Sequence, residues 1–270
     1  MIESHADRPL CVTSCQAPIA EPFWTALAAW LGRRLGRDIL LLDALPWERR
    51  RAAFDAGEAQ VCWLCGPPYV WRRDGGEPIE LLAAPVMAAA RYRDRPVYYS
   101  DVIVRREDPH QHFMDLRGLT WAINERSSHS GYFVTRQHLA SLGVRDGFFG
   151  QIIESGAHQR SLELLLSGQI DATAIDSTVL ELALTQDPAL AARIRQIAAL
   201  GPSPMPPWVV RSELASRLRH DLRQALLSMH QDPAGRDALA LGQVGRFAPV
   251  EDADYDPIRQ MLVDSDGVSL

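Results

Sequence analysis

Short apolar runs of four or five residues alternate along this chain with stretches in which apolar residues recur every three to four positions. That alternation predicts strands interleaved with helices, an α/β fold in which mostly parallel strands lie between covering helices. Residues 10–14 read as the first strand. Residues 22–34 place Phe23, Leu27, Trp30 and Leu31 on one helical face, with Gly32 and Gly36 as stop signals. A second strand is expected over 39–42, a helix over 47–56 ending at Gly57, and a third strand over 60–64 closed by Gly66, Pro67 and Pro68.

The passages FDAGEAQVCWLCG and LLSGQIDATAIDS, about a hundred residues apart, share one plan: a helix, a Gly, two or three residues, then an apolar strand with a polar or small end. This predicts two α/β lobes of similar construction. The β-rich segment 97–104 is expected to cross between them and the Pro-dense segment 201–207 to return. Lobe I then comprises 1–100 and 200–270, finished by helices over 212–230 and 257–263, and lobe II comprises 101–199. In open parallel sheets the strand ends border the ligand crevice, which places Cys65, Gly66, Asp176 and Ser177 at a shared cleft.

Composition narrows the function. The 270 residues are 47% hydrophobic and 23% charged, with a formal net charge of −6. That sign argues against nucleic acid or an anionic membrane as partner. All 28 basic residues are Arg, which removes a Schiff-base lysine, pyridoxal phosphate chemistry and a Walker A loop, and no cofactor is expected. The longest uncharged apolar run, 81–90, is too short to span a bilayer. As written, the N-terminus has no basic leader or apolar export core, which predicts a cytoplasmic chain, or a periplasmic one if a leader was removed. The Arg pairs at 33–34, 72–73 and 105–106 and the triplet 49–51 are expected on solvated faces.

The chemistry concentrates in WAINERSSHSGYFVTRQHL. A strand over 119–123 runs into Ser127, Ser128, His129, Ser130 and Gly131, and a helix follows. Consecutive hydroxyl residues opening a helix present side-chain oxygens and backbone N–H groups together at the positive end of the helix dipole, a ready anion site. Ordinary N-capping by one Ser is the alternative.

These residues carry a resemblance. SSHSGYFV, preceded by YYSDVIVRREDP and LRGLTWAI and followed by FFGQIIESGAHQRSLELLLSGQIDATAIDS, with CWLCGPPYV earlier, resembles the phosphonate, phosphite and phosphate solute-binding proteins of ABC importers. The match spans most of the chain. It implies the two-lobed, hinge-closing type II periplasmic-binding fold and a small phosphorus oxoanion as ligand, with an ABC permease as partner. It also implies that Ser127, Ser128, His129, Ser130 and Gly131 form the loop around the anion, that His158 reaches it, and that Asp176 accepts a hydrogen bond from a protonated oxygen or amine of the ligand. Trp47 and Tyr69 fall near aromatic and strand-end positions of the family's site. Each has a plainer reading: His158 as the start of its helix, Asp176 as a helix cap, Trp47 and Tyr69 as core or rim aromatics. His129 departs from the family, which has a small hydroxyl residue there.

Cys11, Cys15, Cys62 and Cys65 lie on or just after the first and third strands, which are expected to be neighbours. Cys15 and Cys65 are expected to approach at the strand ends, and buried thiols are favoured over a metal or catalytic site. His110 and His112, flanked by Asp108 and Asp115, read as a turn into a short helix rather than a metal cluster. No catalytic motif is present, so nothing demands an enzyme. The leading expectation is a phosphorus-oxoanion receptor of an ABC importer. The alternative is a cytoplasmic enzyme or ligand sensor on the same fold, like the signal-less menaquinone-pathway and thiamine-pyrimidine synthesis relatives.

Overall fold

The computed structural model describes residues 9–270. In chain order the elements are β1 (Leu10–Ser14), α1 (Glu21–Leu35), β2 (Ile39–Leu41), α2 (Trp47–Asp55), β3 (Val61–Trp63), α3 (Gly66–Asp74) and β4 (Ile79–Met87). They continue with β5 (Val97–Arg105), β6 (Thr120–Ile123), α4 (Val134–Ser141), β7 (Gln151–Glu154), α5 (His158–Leu166), β8 (Ala172–Asp176) and α6 (Ser177–Gln186). The last are β9 (Ile194–Pro204), β10 (Trp208–Arg211), α7 (Ser216–Ser228), α8 (Pro233–Leu241), β11 (Val244–Ala248) and α9 (Asp256–Asp264).

The chain divides into two compact units, one of residues up to Pro96 with Met205–Asp254, the other of Val97–Pro204 with Tyr255–Leu270. The first holds a six-stranded sheet ordered β11-β4-β10-β3-β1-β2, the second a five-stranded sheet ordered β7-β6-β8-β5-β9. One plan serves both. In the first, β2 and β3 flank β1 in parallel; in the second, β7 and β8 flank β6 in parallel. An antiparallel strand follows in each, β10 on β3 and β5 on β8. The similar construction read from the two helix–Gly–strand passages is therefore present, as α2 into β3 and α5 into β8.

Local chemistry explains the boundaries. In α1, Pro22 occupies the first turn, where its missing N–H costs nothing, and Gly36 ends the helix at φ +59°, a left-handed conformation in which a side chain is strained. Its buried face, Phe23, Trp24, Leu27 and Leu31, belongs to the first unit's core, where Phe23 meets Trp63 edge-on at 5.5 Å and Trp63 stacks on Trp208 at 5.7 Å. The second unit's core is built around Phe113, Trp121, Phe148 and Phe149, with Trp121 stacked on Phe149 at 4.6 Å.

Three expectations change. The C-terminal helix belongs to the second unit, not to lobe I. Arg136 of α4 explains its place, donating to the carbonyls of Ser265 (2.6 Å) and Val268 (2.7 Å) and so satisfying acceptors at and beyond the helix end. The Arg clusters are not uniformly solvated. Arg72 is buried and pairs with Asp55 while donating to the Pro68 carbonyl (2.8 Å), and Arg50 is buried over the Trp24 ring. Arg105 donates to the carbonyls of Leu165 and Ile170. Long Arg side chains bury their stems and spend their donors on carbonyls, which charge counting does not reveal. Segment 97–104 is no mere crossing either, since β5 lies between β8 and β9 within its sheet.

Candidate functional site

The parallel strands β6, β7 and β8 all end, at their carboxyl termini, in the residues singled out by the sequence. After β6 the chain passes Asn124 and Ser127 into a π-helical turn, His129–Phe133, which runs without a break into α4. Such turns leave several backbone N–H groups without an internal acceptor. Ser128 caps the turn, its Oγ accepting from the Gly131 N–H at 3.1 Å. Ser127 is half-buried and donates to Glu125 Oε1 (2.9 Å). A side chain at position 131 would collide with the Asn124 amide, so only Gly lets that amide lie over the turn.

Ser130 meets His158 directly, and Ser100, a residue the sequence reading did not single out, links the turn to the β5–β8 pair. Ser130 Oγ and His158 Nε2 share a buried hydrogen bond of 3.1 Å, while the Ser100 hydroxyl donates to the Ser130 carbonyl at 2.5 Å. Ser100 lies on β5 directly opposite Asp176 of β8. Two residues earlier, Tyr98 packs its ring against His129, with centroids 5.8 Å apart. The alternation in YYSDVIV was the available signal for Tyr98 and Ser100 sharing a face. Asn124 carried no signal, because its role depends on the space above Gly131.

Burial sets the charge states. His129 is 2% exposed, and desolvation holds its imidazole at about 3, far below the usual 6.5. His158, buried at the start of α5, is lowered to about 4 for the same reason. Both are neutral at pH 7. Asp176 is raised to about 6, chiefly by burial and further by Asp101, against the hydrogen bonds it accepts from the Thr178 N–H (2.8 Å) and hydroxyl (2.7 Å). Asp176 thus performs the capping role, with one carboxylate oxygen already committed. Neither ring nitrogen of His129 has a partner among the described residues, nor do His158 Nδ1 and Asn124 Oδ1, though all four atoms are buried. Buried polar atoms are ordinarily paired, so this cluster of exceptions at the ends of parallel strands marks a candidate binding site.

These groups make stability pH-dependent. Below pH 6.5 the unfolded chain protonates its two histidines while the folded chain does not, so acid costs stability. Asp176 runs the other way: between about pH 6 and 4 the folded chain holds a proton that the unfolded chain releases. Two groups oppose one, so these three make stability rise with pH between about 4.5 and 6 by roughly 1.4 kcal/mol per unit, one net proton. Urea midpoints of the wild type and Asp176→Asn across this range test the sign: the variant removes the opposing group and should show the steeper rise.

Two further residues predicted from the sequence, Tyr69 and Trp47, belong to the first unit. Tyr69 is 1% exposed in the first unit and its hydroxyl donates to Asp252 Oδ1 at 2.6 Å. Trp47 opens α2, but its side chain lies outside the described residues. His110 and His112 precede a 3-10 turn over Phe113–Leu116, capped by Asp115, whose carboxylate accepts from the Gln111 and His112 N–H groups. Among the described residues no helix is long and apolar enough to cross a membrane.

Comparison with known proteins gives the fold and the family. The structure is similar to that of PhnD1 from Prochlorococcus marinus (MIT 9301) in complex with methylphosphonate, at 16% identity and a TM-score of 0.84, covering 97% of this chain and 100% of that one. It is also similar to the binding-protein component of a phosphonate ABC transporter from Pseudomonas aeruginosa, at 18% identity and a TM-score of 0.82, covering 96% and 87%. A Xanthomonas citri protein bound to ATP matches at 17% identity and a TM-score of 0.71, covering 95% and 96%. These likenesses give the fold, that of type II periplasmic-binding proteins. The family model for the phosphonate periplasmic substrate-binding protein of ABC transporters matches residues 12–255, so the chain belongs to that family of phosphonate-binding proteins.

Proposed function

We propose that the second unit binds a phosphorus oxoanion at the turn formed by Ser127, Ser128, His129, Ser130 and Gly131, with His158 beside it. The carrying observation is the cluster of buried, unpartnered hydrogen-bonding atoms on His129, His158 and Asn124. A neutral imidazole donates from one nitrogen, so both histidines can hydrogen-bond an anion without supplying charge. Hydroxyls and the N–H groups of the turn add further donors.

Asp176 supplies discrimination. An ionised carboxylate repels a dianion unless a proton lies between them, so the site favours a singly ionised or amine-bearing phosphonate. Membership of the family supports a role as receptor to an ABC permease and a place in the periplasm.

Thermal-shift screening against methylphosphonate, 2-aminoethylphosphonate, phosphite, phosphate and carboxylate controls tests the ligand class. Ligand at 100 times its dissociation constant should stabilise the protein by roughly 2.7 kcal/mol. A selective rise with a phosphorus oxoanion supports the assignment, and silence across the panel removes it. For Asp176→Asn, which keeps a good helix cap, calorimetry at pH 5.5 and 8 should show a flatter pH dependence and weaker discrimination against dianions. An unchanged profile would take Asp176 out of the site.

A further inference from the structure

The sequence pattern pairs Cys15 with Cys65, but the fold brings Cys15 to Cys62. Their Sγ atoms are 3.7 Å apart, and all four cysteines of the chain are free thiols. Register explains the contact. Thr13 of β1 is the partner of Cys62 on β3, and Cys15 lies two residues beyond Thr13, so its side chain falls on the same face. Cys65 has left the strand and stands at the N-cap position of α3.

The two thiols differ in access. Cys62 is 0% exposed and lies in β3, held between β1 and β10. Cys15 is half-buried and sits just past the last residue of β1, tethered by its N–H to the Trp63 carbonyl (3.0 Å). Closing 3.7 Å to a bonded distance of about 2.0 Å therefore calls mainly on Cys15, which stands past the last residue of β1.

We propose that Cys15 and Cys62 are an oxidation site that closes to an intrachain disulfide on meeting a disulfide oxidant. The Cys15 thiolate attacks one sulfur of the oxidant RSSR, breaking its S–S bond, releasing one thiol and forming a mixed disulfide. Cys62 then gives up its proton and attacks Cys15 Sγ, expelling the second thiol. Both cysteines are oxidised, and the oxidant leaves as two RSH. Burial pushes the Cys62 thiol well up from its ordinary value, which makes it a poor first attacker from solvent and leaves Cys15 as the point of entry. Extracytoplasmic compartments, where this family works, supply such oxidants. The bond would tie β1 to β3 and close a loop containing α1, β2 and α2, constraining the unfolded chain.

The test treats the folded, full-length protein with oxidised glutathione, quenches it, and counts thiols with Ellman's reagent under denaturing conditions. The expected result is a fall from four thiols to two, a mass lower by about two units for the hydrogens lost, and a peptide map joining Cys15 to Cys62. The melting temperature should rise by about 5 °C or more and return on reduction with dithiothreitol. Cys62→Ala should stop at a glutathione adduct on Cys15, whereas the Cys11→Ala, Cys65→Ala double variant should still cross-link. Retention of four thiols, a Cys15–Cys65 bond, or a stable glutathione adduct on wild-type Cys15 would overturn the proposal. None of these readouts depends on the identity of the ligand.

Discussion

Replacing His129 with Leu should stabilise the ligand-free protein and cripple binding at once. In the wild type both ring nitrogens are buried without a partner among the described residues, and an unsatisfied buried polar group costs about 1–3 kcal/mol. A Leu of similar bulk removes that penalty and keeps apolar packing against Tyr98. The expected gain is about 1 kcal/mol, read as a higher urea midpoint at pH 7. Affinity for the preferred phosphorus oxoanion should fall about 100-fold, the loss of a desolvated hydrogen bond to a charged ligand. The pH dependence should flatten too, because His158 and Asp176 alone nearly cancel over pH 4.5 to 6. A histidine that served only as core packing would give a different result, unchanged affinity in calorimetry.

Gly150→Ala should be the most damaging small substitution in the second unit. A Cβ there would stand 2.2 Å from the Gly118 carbonyl oxygen, which is backbone and cannot rotate aside. The two segments are locked by hydrogen bonds from the Gly118 N–H to the Phe148 carbonyl (2.7 Å) and from the Gly150 N–H to the Leu119 carbonyl (2.9 Å). Forcing them apart would disturb the stacking of Phe149 on Trp121 and the start of β6 and β7. The cost is expected near 3 kcal/mol, several degrees in melting temperature. Gly245→Ala is the control: its Cβ would meet nothing nearer than 3.6 Å and its backbone is not left-handed, so its change should stay within about 0.5 kcal/mol. Equal effects from the two would remove the steric argument.

His129 lies within the stretch whose chemistry was legible from sequence and Gly150 lies beyond it, but the partners of neither were legible. Ser127 to Gly131 could be recognised because a hydroxyl-rich run opening a helix is a local pattern, and local patterns fix capping and helix ends. The strands and helices from β1 to β3 were likewise readable, since periodicity and the Gly and Pro stops act within a few residues. Even the repeated plan of the two units could be seen, because each helix–Gly–strand passage is a contiguous unit.

Beyond the pairing of the first and third strands, which was expected, tertiary structure decided what depends on which strand lies beside which and in what register. Ser100 reaches the site only because β5 pairs with β8, and Cys15 meets Cys62 rather than Cys65 because β1 and β3 are in parallel register. Arg72 looks like a surface charge until the carbonyl it satisfies is placed beside it, and Arg136 ties the last helix to the second unit through carbonyls far along the chain. The neutrality of His129 and the raised proton affinity of Asp176 are properties of burial, not of residue type. Sequence alone determined the first strands and helices and the hydroxyl-rich turn that opens α4, because short-range sterics and hydrogen bonding are encoded residue by residue. Only the fold decided partners, charge states and thiol pairing, because desolvation and long-range register exist only once the chain is packed.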